Sequence, residues 1–441
     1  MMKISNFEET GLAKVESWIK DNNIKTLNID TLKEALKVVN ISFIAEGINR
    51  VQSTLLCELK DSYVQQSQRY VTMGEESYSL PKLSSADSRQ AKELTDRAFK
   101  LYEKISELKE GDFKGRPKKE HYKYEIPIED GRYILPLSAK TNISVAMTGN
   151  KLCELFALLY DTRYFKLFEG FRAELIKYLP DVLVKLLEDN HNTNNIKLME
   201  LLYKDDMDRI SSADNMILLN AFDNLELKVG LGAITSTSAI TPSKKLELWG
   251  EEATDKAKGL VQRVLGYGHE SIAEQARTTF GMMCSMVTYH QQIRHRLPEN
   301  HREDLTNLIL DTKREVVIPP SIKKSAFCQE YLNLVNEFKE FRLYILKEYG
   351  EEKALAFILN CDQIKLIIST NVRIDNTMLA ERICMNAQWE IRKLSTKKLR
   401  VLRELSEILY ENSLPSCIHG KCKEGKLTCG KQLEMRKKFL S

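Results

Sequence analysis

The order of segments in this chain runs twice, and that repetition constrains the fold more than any other feature of the sequence. Each half holds a helical stretch, a polar Arg-containing loop, a long amphipathic helix and then a buried helix. The stretch at 89–110 corresponds to that at 326–349, and the stretch at 147–187 to that at 370–411. A unit of roughly 200 residues repeated end to end predicts two similar folding units. The expected domains are 1–212 and 213–412, followed by a cysteine-containing segment at 413–441.

Only 19 glycines and 10 prolines occur in 441 residues, so few turns are forced and long helices are favoured. In 89–110, Ala91, Leu94, Ala98, Leu101, Ile105 and Leu108 step by three and four, the spacing of an amphipathic helix. Periodicity also predicts mostly helix from Thr31 to about Tyr63, from Met147 to about Leu187, from Ser271 onward, and over 375–411. The runs MILLNAF and LELKVGLGAITS, beginning at Met216 and Leu225, read as strands around a turn. Gly230 and Gly232 do not extend into GxGxxG, so no dinucleotide fingerprint is present there. The predicted class is α+β: two tandem repeats, helix-rich, with small antiparallel sheets.

A net charge of +4 is too small to argue for a nucleic-acid partner. The densest basic run, Lys114-Gly115-Arg116-Pro117-Lys118-Lys119, reads as a solvated loop. Six cysteines, Cys57, Cys153, Cys284, Cys328, Cys361 and Cys384, stand singly in mostly apolar context and read as buried free thiols. No apolar run suits a signal peptide or a membrane span, and a reduced cytoplasm is the expected compartment. Cys417, Cys422, Cys429 and His419 fall within thirteen residues. Such side chains can bind zinc, but the spacing is not that of a finger and CxxC is absent. Metal is therefore not expected, with Cys417, Cys422 and Cys429 as weak candidates.

Three signals in the second half carry chemistry. They are Gly268-His269-Glu270-Ser271 with Glu274, Gln291-Gln292-Ile293-Arg294-His295-Arg296, and Thr370-Asn371-Val372-Arg373 followed by Arg382 and by Asn386-Ala387-Gln388-Trp389-Glu390-Ile391-Arg392. Two guanidinium groups flanking His295 repel each other and need an anionic partner or open water. Arg is also the side chain suited to forked binding of phosphate and carboxylate. The apolar run from Phe280 to Val287 places this cluster close to the core, which favours an anion site over a solvated patch. The competing reading is an ion-pair network with Glu299, Glu303 and Asp304. Arg382 and Asn386, four apart, are expected to share a helix face.

In this order GHES-IAE, Q-x-x-RHR and TN-x-R…R…AQWEIR resemble the motifs of flavin-dependent thymidylate synthases. The family signature continues from RHR into S-x-R-Y, but here the corresponding residues are Asp304-Leu305-Thr306-Asn307. The first half holds what is missing. Ser62-Tyr63-Val64-Gln65-Gln66-Ser67-Gln68-Arg69-Tyr70-Val71 resembles the later part of the signature, with Cys57-Glu58-Leu59 in place of RHR. Arg132-Tyr133-Ile134-Leu135-Pro136-Leu137 resembles the family's R-x-x-LPL, which the second half replaces with Ala356-Phe357-Ile358-Leu359-Asn360. Eleven residues after Asn150 stands Asp161, whereas eleven after Asn371 stands Arg382. The losses are complementary, which points to a division of labour between copies.

The resemblance implies FAD-dependent reductive methylation of dUMP to dTMP, with methylenetetrahydrofolate donating the carbon and NADPH the reducing equivalents. It assigns the catalytic role to Arg382. It assigns substrate binding to Gln291, Arg294, Ser67, Arg69, Gln65 and Arg132. It assigns cofactor binding to His269, Ser271, Arg294, His295, Arg296, Asn371, Arg373 and Asn386, the last standing where the family usually has His. Family sites form where subunits of a homotetramer meet, so a homodimer of this duplicated chain is implied. The alternatives are a paralogue that binds flavin or nucleotide without turnover, and C5 modification of another pyrimidine nucleotide.

Overall fold

A computed structural model describes residues 2–74, 77–111, 117–189 and 196–440. Lys114, Gly115 and Arg116 of the basic loop lie outside them. Among the described residues, eight strands form two antiparallel sheets of four. The first is built from β1 (Lys3–Thr10), β2 (Asn40–Asn49), β3 (Ser62–Gln65) and β4 (Lys140–Thr148), in the order β1-β2-β4-β3. The second is built from β5 (Met216–Ala221), β6 (Arg277–Ser285), β7 (Glu299–Arg302) and β8 (Gln363–Asn371), in the order β5-β6-β8-β7. The two topologies are identical strand for strand, so the repeat read in the sequence is a repeat of structure. The class is α+β.

Several expected helices are strands. In β2 the buried residues Ile41, Phe43 and Ala45 alternate with half-exposed Ser42 and Ile44, the period of two of a pleated strand. Leu32 and Leu36 belong to a short preceding helix, Ile29–Leu36. Joining them to Phe43 and Ile48 imitated a helical repeat. A register shift between Ala45 and Ile48, at Gly47 with φ 70°, hid the alternation further. Met147 likewise lies in β4, which ends at Thr148, and the helix begins only at Lys151. Beyond Ser271, residues 277–285 form β6.

The opposite correction applies to LELKVGLGAITS. Leu225–Thr237 is a helix, capped by the Asn224 side chain accepting from Leu227 N at 2.9 Å. Its glycines do not make a turn. Gly230 lets the neighbouring helix Ala253–Gly266 approach closely, since a Cβ there would lie 2.8 Å from Ala257 Cβ. Gly230→Leu is expected to destabilise the fold by about 1–3 kcal/mol through overpacking, measured as a lowered urea midpoint.

The long amphipathic helices occur where periodicity placed them, at Ser85–Ile105 and Cys328–Tyr349. The 375–411 stretch divides into Val372–Arg382, Trp389–Leu405 and Glu407–Tyr410.

The chain packs as two compact units, each drawing on separated segments. Unit 1 comprises 1–199, 285–293 and 304–363, and unit 2 comprises 200–284, 294–303 and 364–441. Unit 1 contains pairings between equivalent parts of the two repeats. Leu137 N donates to Ile358 O at 2.7 Å and Asn360 N to Leu135 O at 2.9 Å, around an antiparallel bridge between Pro136 and Leu359. These two bonds exchange under the correspondence 135↔358 and 137↔360, the reciprocity of an isologous interface. The helices Ser85–Ile105 and Cys328–Tyr349 run antiparallel, joined by Arg97 with Glu337 and Lys104 with Glu330. Unit 1 therefore holds, inside one chain, the kind of contact that two subunits make across a two-fold axis.

Unit 2 contains the second sheet. Met283 and Ile367 pack with Ile210 against it. On the other side of β8, Lys398 of the Trp389–Leu405 helix forms a buried ion pair with Asp375 at 2.6 Å.

Candidate functional site

The expected site residues divide between the two units. Ser67, Arg69, Gln65, Arg132 and Gln291 belong to unit 1, and the remaining ones to unit 2.

In unit 1, strand β3 ends at Gln65 and the chain turns at once. Ser67 Oγ accepts from Arg69 N at 3.2 Å, closing a side-chain turn. That turn aims Arg69 at Glu129, whose carboxylate accepts from Nε at 3.1 Å. Arg132, buried, donates its own Nε to the Glu129 carbonyl at 3.3 Å. The guanidinium groups of Arg69 and Arg132 thus share one residue, Glu129, that the sequence reading did not single out. Asn360 was likewise missed. Standing where the first copy has Leu137, its amide donates to Arg132 O at 2.9 Å and to Gln68 Oε1 at 3.3 Å. Gln65 and Gln291 are buried and face protein. Gln65 Nε2 donates to Ser53 O and Cys57 Sγ, and Gln291 Nε2 to Val287 O.

Beside Gln291, His290 is held between Arg50 Nη2 at 3.1 Å and Thr54 Oγ1 at 2.5 Å. The Thr54 hydroxyl already donates to Arg50 O, so it accepts from His290 Nε2–H, and Nδ1 accepts from Arg50.

In unit 2, the GHES and TN-x-R segments are tied together. Val372 N donates to Ala276 O at 3.2 Å, and Arg373 pairs with Glu274 at 2.6 Å and Glu270 at 3.9 Å. His269 and Ser271 lie exposed beside them. Asn371 caps the Val372–Arg382 helix, accepting from Ile374 N at 2.9 Å. Arg382 sits in that helix's last turn, where the helix dipole favours a cation. Its Nε donates to His295 Nε2 at 2.6 Å. Burial, then the charges of Arg382 and Arg296, push the His295 pKa down to about 3. His295 is therefore a neutral imidazole at ordinary pH, able to accept from one guanidinium while lying near another.

Two expectations need correction. Asn386 does not share a helix face with Arg382, because the helix ends at Arg382 and Asn386 lies in the following turn, donating to Leu427 O at 2.9 Å. Asp304 pairs with Arg163 at 3.0 Å. All nine cysteines are free thiols, and Cys328, Cys384, Cys422 and Cys429 are not buried. Among the described residues no group of three or more His, Cys, Asp or Glu side chains is arranged to hold a metal. No helix among them is long and apolar enough to cross a membrane.

The family model described as "Thymidylate synthase complementing protein" matches this chain twice, over residues 8–164 and 218–406. The chain belongs to this family. Two copies of the thymidylate synthase complementing unit stand in tandem, as the two identical sheet topologies require. Relatives named flavin-dependent thymidylate synthase include those of Clostridium tetani, 29% identical over 215 residues, and Pyrococcus furiosus, 30% over 204. The first match covers 44% of this chain and 85% of the relative, the second 42% and 84%. A third, from Thermococcus kodakarensis, is 31% identical over 192 residues, 41% of this chain and 78% of the relative. One copy of the family unit therefore corresponds to about half of this chain.

Proposed function

We propose that the protein is a working flavin-dependent thymidylate synthase that converts dUMP to dTMP, with FAD as cofactor and methylenetetrahydrofolate and NADPH as co-substrates. The observation that carries this reading is the retention of complementary cationic groups. The first copy keeps Arg69 and Arg132 converging on Glu129, while the second keeps Arg382 fixed by neutral His295 beside Arg296.

The flavin fits the donor set of unit 2. Arg294 and Arg296 are exposed, as are His269 and Ser271. Guanidinium and imidazole groups beside an open surface suit a diphosphate and a planar ring system. When bound, the reduced flavin supplies the hydride of the reaction. Arg382 has the task of stabilising negative charge on the uracil N3–O4 imide, so that C5 becomes nucleophilic. His295 accepts from Nε of Arg382 and so fixes the orientation of its guanidinium plane. Arg294, Arg69 and Arg132 bind phosphate and pyrimidine, with Ser67 contributing a hydroxyl. A homodimer of this duplicated chain would bring four family units together.

The direct test is dTMP formation from dUMP, methylenetetrahydrofolate and NADPH with FAD added. Arg69→Ala and Arg294→Ala are each expected to abolish dUMP binding in calorimetry, although they stand in different copies. Normal dUMP binding by Arg69→Ala would remove the first copy from the site. A protein that FAD cannot reconstitute to an oxidised-flavin spectrum would reduce the reading to a non-catalytic relative.

A further inference from the structure

The edge strands β3 and β7 end at Gln65 and Arg302, and two residues later each copy closes the same kind of turn. In the first copy Ser67 Oγ accepts from Arg69 N. In the second, Asp304 Oδ1 accepts from Thr306 N at 2.9 Å and from Thr306 Oγ1 at 2.6 Å. The local structure is preserved and its chemistry is exchanged: hydroxyl and guanidinium in one copy, carboxylate and hydroxyl in the other. The helix after the central strand gives a second comparison. Arg382 stands eleven residues after Asn371, and Asp161 eleven after Asn150.

Within unit 1 these two exchanged positions meet on one side chain. Arg163 Nε donates to Asp161 Oδ1 at 3.0 Å, Nη2 to Asp161 Oδ2 at 2.5 Å, and Nη1 to Asp304 Oδ2 at 3.0 Å. The backbone N–H of Arg163 donates to Asp161 Oδ1 as well, at 2.9 Å. The two carboxylates are largely withdrawn from solvent, at 11% and 12% side-chain exposure. The guanidinium lies 4.8 Å from the Tyr164 ring centroid. All four carboxylate oxygens are engaged. A phosphate brought here would meet repulsion from both carboxylates and could win Arg163 only by stripping it from them.

We propose that this cluster is a second nucleotide site converted into a structural lock, so that each chain holds one nucleotide site instead of one for each copy. The proposal rests on the function read above. Decay without replacement would leave the two positions uncharged or unpaired. Here two acidic substitutions at distant sequence positions are matched to a single arginine.

Titration calorimetry of the full FAD-loaded chain with dUMP is expected to give one dUMP per chain. Two per chain would overturn the proposal. In parallel, Asp161→Asn and Asp304→Asn are expected to lower Tm by about 2–5 °C while changing dUMP affinity less than about threefold, under half of a tenfold step in free energy. Loss of dUMP binding at unchanged Tm in either variant would also overturn it. If the wild-type chain binds no dUMP, the proposed function fails. The melting comparison still decides the lock, which an unchanged Tm in both variants refutes.

Discussion

Arg382→Ala is expected to lower the rate constant of dTMP formation by about 10²–10³-fold, the usual cost of removing one preorganised donor from developing negative charge. The loss should fall on kcat more than on KM, because other arginines hold the phosphate. The fold should be nearly indifferent, since Arg382 is half-buried in the last turn of its helix, where its Nε donates to His295. Arg382→Lys should recover little activity. A lysine has one compact head and cannot both donate to His295 and present two further N–H groups in a plane. Stopped-flow measurement of flavin oxidation with dUMP and methylenetetrahydrofolate separates this loss from one in flavin reduction by NADPH. Unchanged flavin oxidation in Arg382→Ala would remove Arg382 from the reacting centre.

The segment from Asn371 to Arg382 was legible in the sequence because it is locally continuous. Asn371 caps the helix that Arg382 ends, so one eleven-residue element fixes both. The two long amphipathic helices were legible for a similar reason, their faces being written at three- and four-residue steps. The sheets were less so. In β8 the burial runs through both faces, at Ile364, Leu366, Ile367 and Ile368, and a continuous apolar run carries no strand period. β2 alternates, but a short helix before it and a bulge within it spoil the count. Leu225–Thr237 was misread because glycine was treated as punctuation, whereas Gly230 serves packing against Ala257.

Site partners distant in sequence were invisible for a different reason. Nothing near Arg69 announces Glu129, and nothing near Asp161 announces Asp304. Both are brought together by tertiary approach of segments distant in sequence. The sequence placed Asp304 only where the family's S-x-R-Y segment is lost. In the fold it is one arm of a closed cluster whose other arm replaced the counterpart of Arg382, so two departures from the family pattern become one event.

The largest stability effect is expected from Lys398→Met. Lys398 and Asp375 are 2% and 0% exposed, paired at 2.6 Å. Thr370 Oγ1 donates to the second Asp375 oxygen at 2.8 Å, and the ammonium lies 4.9 Å from the Phe280 ring centroid. Removing the lysine charge leaves a carboxylate without its counter-ion in a site closed to water. That costs about 3–5 kcal/mol, read as a lowered denaturation midpoint. Lys398→Met with Asp375→Leu should restore most of the loss, because an apolar pair of similar volume carries no charge to desolvate. Asp375 lies in the first turn of the helix that Arg382 ends, and Thr370 lies on β8. The pair therefore pins the helix that carries Arg382 to the central sheet. Lys398→Met should accordingly reduce turnover at temperatures well below its midpoint, with the double variant stable but still slower than wild type where the helix has lost its anchor. A single variant as stable as wild type would show that the ion pair does not fix this helix.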